Sequence, residues 1–123
     1  GLIDLLPLCI ENKMSIVLGG PYNSGVLASN LSEDTTYFYQ STPPEVLELA
    51  HKIKAICDQH RVPLKAAALQ FGLAHPAVAA TIPGARSADE VRENFDMASF
   101  SIPADLWAEL KHDNLIPEEA PTP

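Results

Sequence analysis

Two short apolar runs constrain the fold of this chain more than any other feature. Ser15-Ile16-Val17-Leu18 is closed by Gly19-Gly20-Pro21, and Ala77-Val78-Ala79-Ala80-Thr81-Ile82 is closed by Pro83-Gly84. Short continuous apolar runs bounded by Gly and Pro are expected to be buried strands. Helix-period sequence lies between and after them, so the strands should run parallel, with crossover helices covering the faces. Two parallel strands can neither bury both faces nor hide their edges. The expected class is therefore α/β, a piece of a larger sheet or barrel that is incomplete as it stands. A TIM barrel takes about 250 residues, so 123 residues amount to about half of one.

The remaining elements follow from periodicity and start signals. Leu2, Leu5, Leu6, Cys9 and Ile10 give residues 2–12 a helical spacing, with Pro7 early enough to be tolerated. The chain begins inside that pattern, so a truncated or processed chain is expected. Residues 20–25 form a loop and 26–29 a short turn, while residues 30–39 are polar, then aromatic, without a period: a long surface loop. Thr42-Pro43-Pro44-Glu45 predicts a helix over residues 43–60, with Thr42 as cap and Pro43 at the first position. Pro63 opens a second helix to residue 74, apolar nearly throughout and so buried on most sides. Ser87-Ala88-Asp89-Glu90 is a capping box that launches a helix to about Met97. Ser101 and Pro103 start a last helix with Leu106, Trp107 and Leu110 on one face. Residues 1–116 form one segment, and residues 117–123 are a Pro-rich acidic tail expected to be disordered.

Composition narrows the function. A net charge of −8 argues against nucleic acid and anionic membrane as partners, so a local anion site would need dipoles and a few chosen cations. No run approaches the roughly 20 apolar residues that span a bilayer, and no basic leader precedes an apolar core. Cys9 and Cys57, far apart in apolar helical contexts, fit reduced core thiols of a cytoplasmic protein. His51, His60, His75 and His112 lack ligand spacing, so no metal site is expected. Ser24 stands in Asn-Ser-Gly, outside the Gly-x-Ser-x-Gly elbow of hydrolases. Asn30-Leu31-Ser32 matches a glycosylation sequon but lacks the secretory context that would give it meaning.

Two loops sit where parallel sheets place function, beyond the C-terminal ends of the strands. The first, residues 19–25, combines glycines that admit a ligand to the backbone with the Asn23 amide and the Ser24 hydroxyl. The second, residues 83–87, sets Arg86 just before a helix N-terminus, where a phosphate can dock. Glu93 and Asn94 follow one to two turns on, within reach of an adenine or a ribose. Each has a plain structural reading: a tight turn for the glycines, a solvated cation for Arg86, a helix cap for Glu90. Two such loops on adjacent strands say more than either alone.

These residues also resemble a known family. Ile82-Pro83-Gly84-Ala85-Arg86-Ser87 with Glu93-Asn94 resembles the cofactor signature near the C-terminus of aldo-keto reductases. Gly20-Pro21-Tyr22-Asn23-Ser24-Gly25-Val26-Leu27 resembles the loop after the seventh strand of that family. The whole chain is similar to the final third of such an enzyme, closest in look to a branch of aldose and fucose dehydrogenases. The resemblance implies the last strands and helices of a (β/α)8 barrel that binds NAD or NADP. It places Gly20, Tyr22 and Ser24 at the pyrophosphate, Gly84, Ala85, Arg86 and Glu90 around the adenosine ribose, and Glu93 with Asn94 at the adenine; Asn23, from its amide in the first loop, is a further cofactor-binding candidate. Many NADP-preferring members carry cations where Gly84 and Glu90 stand, so NAD is favoured slightly, and Arg86 leaves NADP open.

The departures are as informative. The family's catalytic Asp, Tyr, Lys and His come from the first strands of the barrel, and no residue here matches those positions. Gly19 stands where the family stacks an aromatic on the nicotinamide, and the loop with Tyr37, Phe38 and Tyr39 is a candidate lining of a substrate pocket. The expectation is a cofactor-binding segment of an oxidoreductase acting on aldoses or small carbonyl compounds, without turnover on its own. The alternative is a non-catalytic module that self-associates or pairs through exposed sheet edges.

Overall fold

The computed structural model describes residues 2–28, 36–37 and 40–123. Helix α1 (Leu5–Glu11) leads into strand β1 (Ile16–Gly19), and a 3-10 helix (Asn23–Ala28) follows the glycine-rich turn. Strands β2 (Thr36–Tyr37) and β3 (Gln40–Ser41) come next, then α2 (Pro44–Gln59), α3 (Leu64–Leu73), β4 (Val78–Ile82), α4 (Ala88–Ala98) and α5 (Ala104–His112).

Strands β1 and β4 pair in parallel, as the two apolar runs require. The register carries one irregularity: Ile16 faces Val78, but Val17 faces Ala80, so Ala79 is an extra residue in β4. Side chains alternate along a strand, and a one-residue slip would turn the rest of β4 inside out. The bulge instead matches the two burial patterns, keeping Ile16 and Leu18 with Val78 and Thr81 on the half-buried side. Thr81 Oγ1 donates to the Leu18 carbonyl at 3.2 Å, so its hydroxyl is satisfied on that side. Val17 and Ile82 face outward and are exposed.

The core lies between this strand pair and the helices. Leu106, Leu110, Cys57, Ala66 and Val26 are almost completely buried together, and Phe71 stacks on Trp107 with ring centroids 6.2 Å apart. Burying one such Leu contributes roughly 2 kcal/mol. Gly72 permits the close approach of α3 to β1, since a Cβ there would meet Leu18 Cδ2 at 2.5 Å. Two polar ties fix the helices to one another. His60 Nε2 and Glu109 Oε2 lie 2.6 Å apart between the end of α2 and α5. Gln70 Nε2 donates to the carbonyls of Met97 and Phe100 at 2.9 and 2.8 Å, tying α3 to the end of α4 and the turn after it.

Several expectations need correction. Helix α1 starts at Leu5, with residues 2–4 in turns, and the side chain of its N-cap residue Asp4 makes no capping bond. The expected loop of residues 20–25 already winds into the 3-10 helix at Asn23. Within the region read as an irregular loop, Thr36-Tyr37 pairs antiparallel with Gln40-Ser41. Two-residue strands are too short to show alternation, although β-branched and aromatic residues favour them; the rest of residues 29–39 lies outside the described residues. The cap of α2 is Pro43 and not Thr42, so Pro44 takes the first position and the cap residue itself supplies no side-chain bond. The tail read as disordered is packed: Ala120 is buried, and its N–H donates to the Pro117 carbonyl at 3.1 Å. Its prolines follow an ordered path because Ile116 and Ala120 find apolar partners under α5, which composition cannot show.

Candidate functional site

The parallel pairing of β1 and β4 brings Gly19 opposite Ile82, so the loops after both strands leave the sheet at one edge. Gly20 makes the first turn with φ +62, a left-handed conformation that a side chain disfavours. Asn23 is also left-handed, at φ +48, which Asn tolerates well, and its N–H donates to the Gly20 carbonyl at 3.0 Å. Both residues are exposed. Ser24 enters the 3-10 helix, and its side chain lies outside the described residues.

On the other loop, Gly84 and Ala85 are exposed, and nothing lies within 4 Å of where a Gly84 Cβ would stand. The backbone is therefore open to a ligand there. Ser87 caps α4, accepting from the Glu90 N–H at 3.1 Å. The reciprocal bond of the capping box is shifted by one residue: Glu90 Oε2 accepts from the N–H of Arg86, not of Ser87, at 2.6 Å. Glu90 thus braces the loop from inside while holding a negative charge against it. The Arg86 guanidinium lies 3.6 Å from Glu90 Oε1 with its side chain 93% exposed, a geometry free to swing toward an anion.

The first loop meets α4 at Asn94. Tyr22, whose side chain was expected to face the pyrophosphate, instead turns inward and is only 7% exposed. A buried phenol needs a partner, and the Tyr22 hydroxyl donates to Asn94 Oδ1 at 2.8 Å. Asn94 is equally buried, the one buried polar residue among those described. With its carbonyl oxygen engaged, Asn94 has the Nδ2 group left as a donor that meets no acceptor among the described residues. Its neighbour Glu93 binds Lys65 Nζ through Oε2 at 2.6 Å, and Oε1 accepts no hydrogen bond among the described residues. Lys65 Nζ also stands 5.3 Å from the Tyr22 ring centroid, a cation–π distance. Burial first, and the Glu93 carboxylate second, push the Tyr22 phenol up to about 12, so it is a proton donor at any physiological pH. Glu93 and Asn94 thus bring a carboxylate acceptor and an amide donor from adjacent residues of α4, the two functions that would complement the amino donor and ring-nitrogen acceptor of an adenine edge.

An apolar cavity of about 520 Å³ lies elsewhere, below the first loop, walled by Leu18, Leu64, Phe71, Trp107 and Ile116. Gly20 and Asn23 reach its rim, but none of residues 84–94 does, so it is a gap between sheet and helices and not the polar site. Among the described residues, no group of three or more His, Cys, Asp or Glu could hold a metal, and no helix is long and apolar enough to cross a membrane.

Sequence reasoning missed Lys65, which had counted only toward helix propensity. Its signal was a lone cation in the first turn of a helix otherwise suited to burial.

The Aldo/keto reductase family model matches residues 3–114. This chain belongs to the aldo/keto reductase family. It is 36% identical over 113 residues to a pyridoxal 4-dehydrogenase of Microbacterium luteolum, covering 92% of this chain and 33% of that protein. It is 41% identical over 115 residues to a D-threo-aldose 1-dehydrogenase of Pseudomonas sp, covering 93% of this chain and 35% of that protein. The chain spans about a third of the length of these curated relatives. As a member of the aldo/keto reductase family, it contributes both candidate loops from within the matched residues.

Proposed function

We propose that this chain is the C-terminal cofactor-binding segment of an NAD(P)-dependent aldo-keto reductase barrel. The observation that carries the reading is that the adjacent Glu93 and Asn94, an acceptor and a donor, are tied to Lys65 on α3 and to Tyr22 of the first loop. The residues fit the cofactor. Gly20 offers exposed backbone and Asn23 an exposed side-chain amide for the pyrophosphate, Gly84 and Ala85 leave room for the ribose, and the start of α4 offers its N–H groups to negative charge.

NAD or NADP, when bound, supplies the hydride acceptor or donor. This chain's own work is to bind and orient the adenosine and phosphate groups and so to set how far the dinucleotide reaches along the edge. Asn94 donates, Glu93 accepts, and Arg86 closes on a phosphate. Acid–base chemistry belongs to residues the chain does not supply, so the segment alone turns nothing over. The substrates are aldoses or small carbonyl compounds, supported by the names of the two relatives. Stopped assays of the isolated chain with both cofactors and a panel of aldoses should show no turnover, and robust activity would overturn this division of labour.

The Glu90 carboxylate favours NAD. It holds a negative charge against the loop that would meet a 2′-phosphate, and it can accept from a free 2′-hydroxyl. Glu90→Gln in the intact protein should tighten NADP about tenfold relative to NAD, read by fluorescence titration of both reduced cofactors. An unchanged ratio contradicts the assignment.

A further inference from the structure

Lys65 is a charge set into a helix whose neighbouring positions, Leu64, Ala66, Ala67 and Leu69, are buried. Its own side chain is 17% exposed, and placing a long flexible ammonium in such a position has a cost unless it is well partnered. Both partners lie in the site: the Glu93 carboxylate at 2.6 Å and the Tyr22 ring at 5.3 Å. Glu93 by contrast is 51% exposed and sits on a strongly acidic helix with Asp89, Glu90 and Asp96. Untethered, it would sample several rotamers and lean away from its acidic neighbours. Arg92 neutralises Asp89 at 2.7 Å, and Lys65 does the same for Glu93 from a different helix.

The tie uses one carboxylate oxygen only. Oε2 is committed to Lys65, which fixes where Oε1 stands relative to the Asn94 amide that Tyr22 holds in turn. The acceptor and the donor are therefore set by two separate anchors from two other parts of the chain, α3 and the loop after β1.

We infer that Lys65 is a positioning residue for base recognition: by holding Glu93 through one oxygen, it presents the other to the 6-amino group of adenine. This rests on the reading that the site holds the adenosine of the cofactor. A brace that merely stiffened the fold would affect every dinucleotide alike, whereas a residue that aims an acceptor at the amino group affects the choice between bases.

The test is the ratio of dissociation constants for NAD and nicotinamide hypoxanthine dinucleotide, in which a carbonyl oxygen replaces the amino group, measured on the intact protein. The 2′-phosphorylated pair is used if NADP binds more tightly. The wild type should prefer the adenine form about tenfold, the worth of one hydrogen bond. Lys65→Met should bring the ratio near unity, and Lys65→Arg, which still grips a carboxylate, should restore it. Glu93→Gln, at a half-exposed position, should collapse the ratio too, and adding Lys65→Met to it should change nothing further. If either Lys65→Met or Glu93→Gln keeps the wild-type ratio, the inference is overturned, as it is if Lys65→Met weakens both dinucleotides equally. A wild type that binds both forms equally removes the Glu93 contact while leaving cofactor binding intact. A wild type that binds neither NAD nor NADP removes the cofactor reading itself, and the role of Lys65 with it.

Discussion

Tyr22 shows how single residues here act through chemistry that spacing does not reveal. Its hydroxyl orients an amide 72 positions away, and the phenol stays protonated because burial and then the Glu93 charge push it up to about 12. Tyr22→Phe should lose about 1 kcal/mol of stability and loosen adenosine binding, read by urea unfolding and titration of the intact protein. The raised phenol also sets a sign. The stability it contributes is fully present below the ordinary tyrosine value of about 10 and is lost as pH rises towards about 12. Wild type and Tyr22→Phe should therefore converge in alkali, and a difference constant to pH 12 would contradict the burial argument. Cys57 is pushed up to about 11, chiefly by burial and then by the Asp58 charge, and Cys9 is buried as well. Neither thiol should react with a disulfide reagent at pH 8 until the protein unfolds; prompt reaction would show that this core opens. Gly20, Tyr22, Asn23, Ser24, Gly84, Ala85, Arg86, Glu90, Glu93 and Asn94 could all be put forward as candidates from the sequence because each lies in one of two short stretches of chain. Lys65 could not, because its contact with Glu93 closes over 28 positions and depends on how α3 is docked.

Elements were legible wherever a cap or a long period marked them. The start of α4 is one such case: Ser87 caps it as its residue type demands, and Ser87→Ala should destabilise by about 1 kcal/mol. The same change should weaken dinucleotide binding, since Glu90 then loses a fixed helix start from which to brace Arg86. The face of α5 was equally legible, and Leu106→Ala, at a fully buried position, should cost about 3 kcal/mol in chemical denaturation. Less visible was the extra residue at Ala79, because an all-apolar strand offers no polar alternation against which a slip would stand out. The short pairing of β2 with β3 and the docking of the tail were hidden for related reasons: both depend on neighbours distant in sequence, not on a local pattern.

For the molecule as a whole, the sheet is the telling feature. Val17 and Ile82 present one face of the strand pair to solvent, and Phe95 on α4 is 72% exposed. Such surfaces would be covered in the larger barrel proposed for this chain, in keeping with the third of the relatives' length that it spans. The isolated chain should bind a hydrophobic dye or self-associate in sizing experiments, and the intact protein should do neither at the same concentration. The central claim is that the two loops beyond β1 and β4 hold the adenosine end of a dinucleotide. Calorimetric titration of the intact protein with ADP-ribose and, separately, with nicotinamide mononucleotide tests it most directly. Removing both side chains in Glu93→Ala/Asn94→Ala should weaken ADP-ribose about a hundredfold and leave the mononucleotide unchanged; equal affinity of the double variant and wild type for ADP-ribose would contradict the account.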